Sequence, residues 1–187
     1  MASIRRRGIA LCRRAFSGRP VRHPTHEYLI TFDAPGAGTG AFQGTDAPAI
    51  NPEGAITGFY FDSGNVFHGY VRARDGSFIT FDAPGAQSTG GESINPAGTI
   101  TGLYSDTSGL AHGFVRAPDG AITTFDAPGA SSTFARNINP AGTVAGYYID
   151  ASNVNHAPEE FVDHPHEFLG ARPDEVISLS CENAFPI

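Results

Sequence analysis

The sequence predicts an all-β protein built from tandem four-stranded antiparallel units, and three observations carry the prediction. The phrase FDAPGA occurs three times, starting at Phe32, Phe81 and Phe125. Longer phrases recur 44 residues apart: INPEGAITGFY at Ile50 returns as INPAGTITGLY at Ile94 and as INPAGTVAGYY at Ile138. Between these phrases apolar and polar residues alternate as in extended strands, and no stretch has the 3.6-residue period of a core helix.

Turn chemistry divides each unit into strands, as the unit after Ile94 shows. Asn95-Pro96-Ala97-Gly98 has the residue preferences of a type I turn. Asp119-Gly120 is a strong hairpin signal, and Pro128-Gly129 suits the two central positions of a type II turn. FDAPGA is therefore predicted to be a last strand with its exit turn. The four strands of this unit are predicted over residues 93–95, 99–104, 111–116 and 121–126.

Four short strands repeated every 44 residues are typical of the blades of a β-propeller. The chain carries a leading last strand at residues 27–33, two complete units and a third unit that loses the pattern after His156. Closed rings need about four to eight blades, so the sequence predicts about three blades and an incomplete ring in one chain. Either the chain belongs to a longer array, or a homodimer completes the ring, with the leading strand of one copy filling the position missing from the third unit of the other.

The chain is expected to divide into a basic segment at residues 1–26, a β-repeat region at residues 27–157 and a divergent acidic, His-containing tail at residues 158–187. The repeat region comprises units at residues 27–48 (partial), 49–92, 93–136 and 137–157 (partial). Residues 1–26 hold seven of the 12 basic residues and no acid, which favours a disordered or targeting segment. Its apolar stretch GIALC is too short for a clear secretory signal peptide. The sequence contains no run of 18 apolar residues, so no transmembrane segment is predicted.

Charge and cysteine content exclude some classes of function. From Glu27 onwards five Arg face all 19 acidic residues, so this part should repel nucleic acid and attract cations or basic partners. Cys12 and Cys181 lie in the two atypical ends and form neither a disulfide framework nor a metal-binding spacing. The chain contains no GxSxG, P-loop or CxxC motif, so no catalytic residue and no organic cofactor is predicted.

Three sets of polar side chains recur with the repeat. The Asp residues could ring a pore and bind Ca²⁺, but the favoured interpretation is that each accepts hydrogen bonds from the Pro-Gly turn that follows it. The His residues could converge on a metal, but the favoured interpretation is that each bridges two strands. Because a catalytic site usually breaks repeat symmetry, we expect these residues to be structural. The sets are Asp33, Asp82 and Asp126; His68, His112 and His156; and the turn residues Asn51, Asn95 and Asn139.

One cluster breaks the symmetry, in the segment HAPEEFVDHPHEF at residues 156–168. Two imidazoles spaced as His-Pro-His would project to the same side of an extended chain and, with a carboxylate, could hold Zn²⁺ or another divalent metal. The alternative is a solvated acidic tail. The candidate metal ligands are His156, His164, His166 and Glu159.

The phrases INPAGTITGLYSDTSGLAHGFVRAPDGAITTFDAPGA resemble the HAF-type extracellular repeats of bacterial β-propeller-like proteins, which are named for a His-Ala-Phe signature. The resemblance covers residues 27–156; the signature reads His-Gly-Tyr at His68, His-Gly-Phe at His112 and His-Ala-Pro at His156. It implies an extracellular or cell-envelope setting and no established activity. We therefore expect a non-catalytic repeat module that presents blade-end loops to a glycan or protein partner. The alternative is a metal-dependent hydrolase or lyase that uses the cluster at residues 156–167.

Overall fold

The computed structural model describes residues 30–158 and residue 161, and every regular element in this part of the chain is a β-strand. Three antiparallel sheets follow one another along the sequence, which confirms the predicted all-β class and its tandem units. The first sheet contains β1 (Gly44–Ile50), β2 (Ile56–Phe61), β3 (Phe67–Arg72) and β4 (Phe78–Phe81). The second contains β5 (Ser88–Ile94), β6 (Ile100–Ser105), β7 (Ala111–Arg116) and β8 (Ile122–Phe125). The third contains β9 (Ala130–Ile138), β10 (Val144–Asp150) and β11 (Asn155–His156).

The first strand of the second sheet differs from its prediction. Strand β5 begins at Ser88 rather than near residue 93. The prediction missed its first residues because the segment STGGES lacks an alternating apolar pattern of its own. It pairs along β6, with an irregular register between Gly91 and Ser93. Neighbouring sheets cover this strand, so its burial comes from tertiary packing rather than from its own apolar residues.

The described residues contain no helix that could cross a membrane.

The exit turn of each repeated phrase has the predicted geometry. In the second sheet Ala130 N donates a hydrogen bond to Ala127 O at 3.1 Å, and Gly129 has a φ of 76°. A positive φ at the third position of a type II turn favours glycine, which has no Cβ to clash. The same bond joins Ala86 N to Ala83 O. The repeated Pro-Gly pair thus turns the chain from the last strand of one sheet into the first strand of the next.

The core lies between consecutive sheets. Phe81, at the end of the first sheet, packs against Phe114 and other residues of the second, and Phe125 of the second packs against the third. In the same way Phe32 packs against the first sheet, so the leading phrase lies where the last strand of a preceding blade would lie. Face-to-face packing of successive small sheets is the arrangement of a β-propeller. The three clusters include Phe32, Ile56, Tyr60 and Tyr70; Phe81, Ile94, Ile100 and Phe114; and Phe125, Ala135, Ile138 and Val144.

Arginine guanidinium groups contribute to two of these packing layers. Arg116 lies with its guanidinium carbon 5.0 Å from the ring centroid of Phe81, and Arg72 lies 4.9 Å from that of Phe32. A planar guanidinium stacks on an aromatic face better than an ammonium does. In the third layer Phe161 instead lies 5.7 Å from Phe125, between ring centroids. The repeat therefore changes its packing chemistry after β11.

Candidate functional site

Each of the first two sheets carries a histidine held between two carboxylates. His68 is on β3, and its Nδ1 lies 2.9 Å from Oδ1 of Asp82, the residue after β4. Its Nε2 lies 3.6 Å from Oδ2 of Asp62, the residue after β2. The imidazole lies beside the ring of Tyr60 on β2, with 5.3 Å between ring centroids and 32° between ring planes. We call this arrangement the Asp-His-Asp bridge; it ties the β2–β3 loop to the end of the last strand.

The second sheet repeats the bridge with nearly identical distances. His112 Nδ1 lies 2.9 Å from Asp126 Oδ2, and His112 Nε2 lies 3.5 Å from Asp106 Oδ2. The third sheet has half of the bridge, because His156 Nε2 lies 3.0 Å from Asp150 Oδ2. No second carboxylate reaches His156 within the described part of the chain. The repeated His residues thus lie in three separate sheets and do not converge on one point.

The aspartate that follows the second strand of each sheet also closes the loop that it begins, namely the β2–β3, β6–β7 and β10–β11 loops. In the second sheet Asp106 Oδ1 accepts hydrogen bonds from Ser108 N at 2.8 Å and from Leu110 N at 3.0 Å. The backbone bond from Leu110 is the largest cause of the lowered pKa of Asp106. Because one carboxylate oxygen accepts from the loop and the other faces His112, this loop uses its acidic side chain for its own structure. Asp62 and Asp150 make the corresponding backbone bonds.

The bridge of the second sheet favours a protonated histidine. Partial burial opposes protonation of His112, but the hydrogen bond and charge of Asp126, with a further contribution from Asp106, outweigh it and raise the pKa of His112 above 6.5. Folding therefore stabilises the imidazolium form of His112 and the carboxylate form of Asp106.

We expect the stability contributed by this bridge to be greatest between about pH 4 and pH 6.5. A raised pKa of His112 stabilises the fold fully below its unfolded value and loses that effect as the pH rises through the raised pKa. A lowered pKa of Asp106 stabilises the fold above its unfolded value and loses that effect on acidification. Thermal unfolding at pH 5.5 and pH 8.5 should show a larger loss of Tm in the wild-type chain than in His112→Gln. Equal losses in the two proteins would contradict this prediction.

Threonine, rather than aspartate, caps the exit turns. Asp82 and Asp126 were expected to accept from the Pro-Gly turn, but the structure directs both carboxylates to histidine. The amide of Ala127 donates instead to Thr133 Oγ1 at 3.0 Å, since the next strand brings this hydroxyl beside the turn. A signal was present in the sequence, because Thr89 and Thr133 recur 44 residues apart. Equivalent bonds run from Ala83 N to Thr89 Oγ1 and from Ala34 N to Thr45 Oγ1.

The asparagines of the INP phrases join one sheet to the next. Asn51 Oδ1 accepts from Ala55 N at 2.9 Å and so closes its own turn, while its Nδ2 donates to Asn95 O at 3.1 Å in the second sheet. Asn95 Nδ2 donates in turn to Asn139 O at 3.4 Å. Asn51 and Asn95 are buried, whereas Asn139 is exposed. We call this series the asparagine ladder; it explains the recurrence of these residues by contacts between blades.

The candidate metal ligands lie mostly beyond the part of the chain that the structure covers. Of the four residues, Glu159, His164 and His166 are outside the described residues, and His156 lies against Asp150 and stacks on Tyr148 with 5.0 Å between ring centroids. Among the described residues no group of three His, Cys, Asp or Glu side chains is arranged to hold a metal ion. The metal cluster stays a prediction from the sequence.

The fold and the repeated bridges define an all-β protein made of tandem antiparallel sheets. Comparison of the chain with family models, curated proteins and solved structures finds no match.

Proposed function

We propose that the chain is a non-catalytic, extracellular or cell-envelope repeat module of β-propeller type, which binds a glycan or protein partner through its blade-end loops. The observation that carries the proposal is the repetition of the Asp-His-Asp bridge. His68 and His112 each contact two aspartates at equivalent positions of their sheets, at nearly the same distances. These ionisable side chains therefore make the same contacts in both blades. A second copy, or a longer array, would supply the further blades that a ring needs.

The β2–β3, β6–β7 and β10–β11 loops are the surface best suited to such binding. Each loop is closed by two backbone hydrogen bonds to its leading aspartate, and its tip is exposed. The tips present hydroxyl and amide groups, as in Ser63, Asn65, Thr107 and Ser152. Such groups can hydrogen-bond sugar hydroxyls or a polar protein surface. Because the loops are already ordered by their own hydrogen bonds, binding would cost little conformational entropy.

A matched pair of surface variants tests the proposal. Thr107→Arg/Ser152→Arg places bulky side chains on two loop tips, and Glu53→Arg/Ala97→Arg places the same number at exposed turns at the opposite end of the blades. A glycan array, followed by calorimetry on any positive glycan, should find saturable binding without turnover. We expect the loop-tip variant to weaken it at least about tenfold and the opposite-end variant to leave it unchanged.

The outcomes separate the two function classes. If both double variants weakened glycan binding equally, the loop tips would not form the binding site. Turnover of a bound glycan, together with stoichiometric metal that is lost in His164→Ala/His166→Ala, would replace the binding module by the metal-dependent hydrolase or lyase.

A further inference from the structure

The phrase that begins at Phe32 occupies the position that the last strand of a preceding blade would have. The other strands of that blade are not among the described residues. Phe32 packs on the first sheet as Phe81 packs on the second. Ala34 N donates to Thr45 Oγ1, as Ala83 N donates to Thr89 Oγ1. These residues therefore lie where the fourth strand of a preceding blade would enter the first sheet.

The third sheet, in contrast, has its first three strands but no fourth strand among the described residues. It consists of β9, β10 and β11, and no described residue pairs with the outer edge of β11. In the complete sheets the third and fourth strands pair through Gly69 with Phe81 and through Gly113 with Phe125. Ala157 follows Gly113 by 44 residues and is the corresponding position for an incoming strand.

The side chains at these two ends are complementary halves of an Asp-His-Asp bridge. His156 has its loop carboxylate, Asp150, but among the described residues no counterpart of Asp126. Asp33 occupies the same place in its phrase as Asp126 and has no histidine partner among the described residues.

The asparagine ladder ends in the same complementary way. Each Nδ2 donates to the carbonyl of the next asparagine along the chain, from Asn51 to Asn95 and from Asn95 to Asn139. Asn139 is exposed, and its Nδ2 has no acceptor among the described residues. The carbonyl of Asn51 receives no asparagine from a preceding blade within the described residues. The donor at one end of the ladder thus matches the acceptor at the other end.

We infer that two copies of the chain close a six-bladed ring head to tail. In each of the two interfaces the phrase that begins at Phe32 of one copy lies beside the open edge of the third sheet of the other, and Asp33 accepts a hydrogen bond from His156 of the partner subunit. The inference deepens the proposed propeller-type module, on which it rests, by naming a second copy as the partner at its open ends. Six blades fall within the range of closed propellers, and a head-to-tail interface forms a ring when its rotation closes.

A matched pair of substitutions tests the two-copy ring. Light scattering after size exclusion should give twice the chain mass of 19.6 kDa for the wild type. Asp33→Asn should raise the dimer dissociation constant at least about tenfold, because it removes a charged acceptor from each of two equivalent interfaces. Asp82→Asn changes the same residue of the same phrase but breaks a bridge within one chain, so the dissociation constant should stay unchanged. Circular dichroism on each peak verifies that both variants are folded.

Disulfide trapping tests the contact between the two ends directly. In chains carrying Cys12→Ser and Cys181→Ser, mixing the Asp33→Cys variant with the His156→Cys variant should give a disulfide between chains, and neither variant alone should give it. His68→Cys/Asp82→Cys in one chain should form the disulfide within that chain. A monomeric wild type, an open polymer, or a disulfide within one chain for Asp33→Cys/His156→Cys would overturn the two-copy ring. A monomer that still binds glycan through its loop tips would overturn the two-copy ring alone and leave the proposed binding function standing.

Discussion

Replacing Phe114 by alanine should lower the free energy of unfolding by about 3–5 kcal/mol, the usual cost of removing a buried aromatic ring. Phe114 is 0% exposed and packs edge-on against Phe81, with 5.9 Å between ring centroids. Since Phe81 belongs to the first sheet and Phe114 to the second, the substitution removes a contact between two blades as well as a core side chain. The substitution would leave a cavity inside the cluster that joins these two sheets, which also contains Ile94 and Ile100.

Urea unfolding of the full chain, followed by far-ultraviolet circular dichroism, measures this effect. Leu110→Ala is the matched control, because Leu110 lies just before the same strand and is 43% exposed. Surface truncations of this kind usually change stability by less than about 0.5 kcal/mol. A loss below about 1 kcal/mol for Phe114→Ala would mean that the sheets do not depend on the packing between them.

Replacing Gly102 by alanine should lower the free energy of unfolding by about 1–3 kcal/mol, through overpacking. A Cβ at this position would collide with the carbonyl oxygen of Gly90 on β5 and would lie 2.9 Å from ring atoms of Phe114. Gly58 and Gly146 face the carbonyls of Asp46 and Phe134 in the same way. The glycine therefore recurs because the first strand of each sheet passes too close for a side chain.

Gly64→Ala is the control for this second prediction. Gly64 has an ordinary φ and is exposed, and its nearest neighbour to a new Cβ would be Asp62 Oδ1 at 3.3 Å. Both variants add one methyl group and restrict the unfolded chain equally. The difference between their urea midpoints therefore isolates the steric collision. Equal stability of the two variants would refute the close approach of β5 to β6.

Local signals in the sequence were sufficient for β6, β7 and the exit turn of the second sheet. Alternation placed β6 and β7, and the Pro-Gly pair predicted the turn at Gly129, because both signals act within a few residues. The same signals failed for β5, where Gly90 and Gly91 resemble a loop. Its extended form depends on pairing with β6 and on cover from neighbouring sheets, which no local pattern encodes.

The sequence by itself determined the repeat, the all-β class and the residue types that recur: aspartate, histidine and asparagine. Only the tertiary structure decided what these side chains contact. Asp126 reaches His112, 14 residues away, because β7 and β8 pair in one register. Asn51 reaches Asn95, 44 residues away, because successive sheets pack face to face. Hydrogen-bond partners at such separations depend on the register and packing of strands, so the recurrence of a residue shows that it has a structural role without showing its partner.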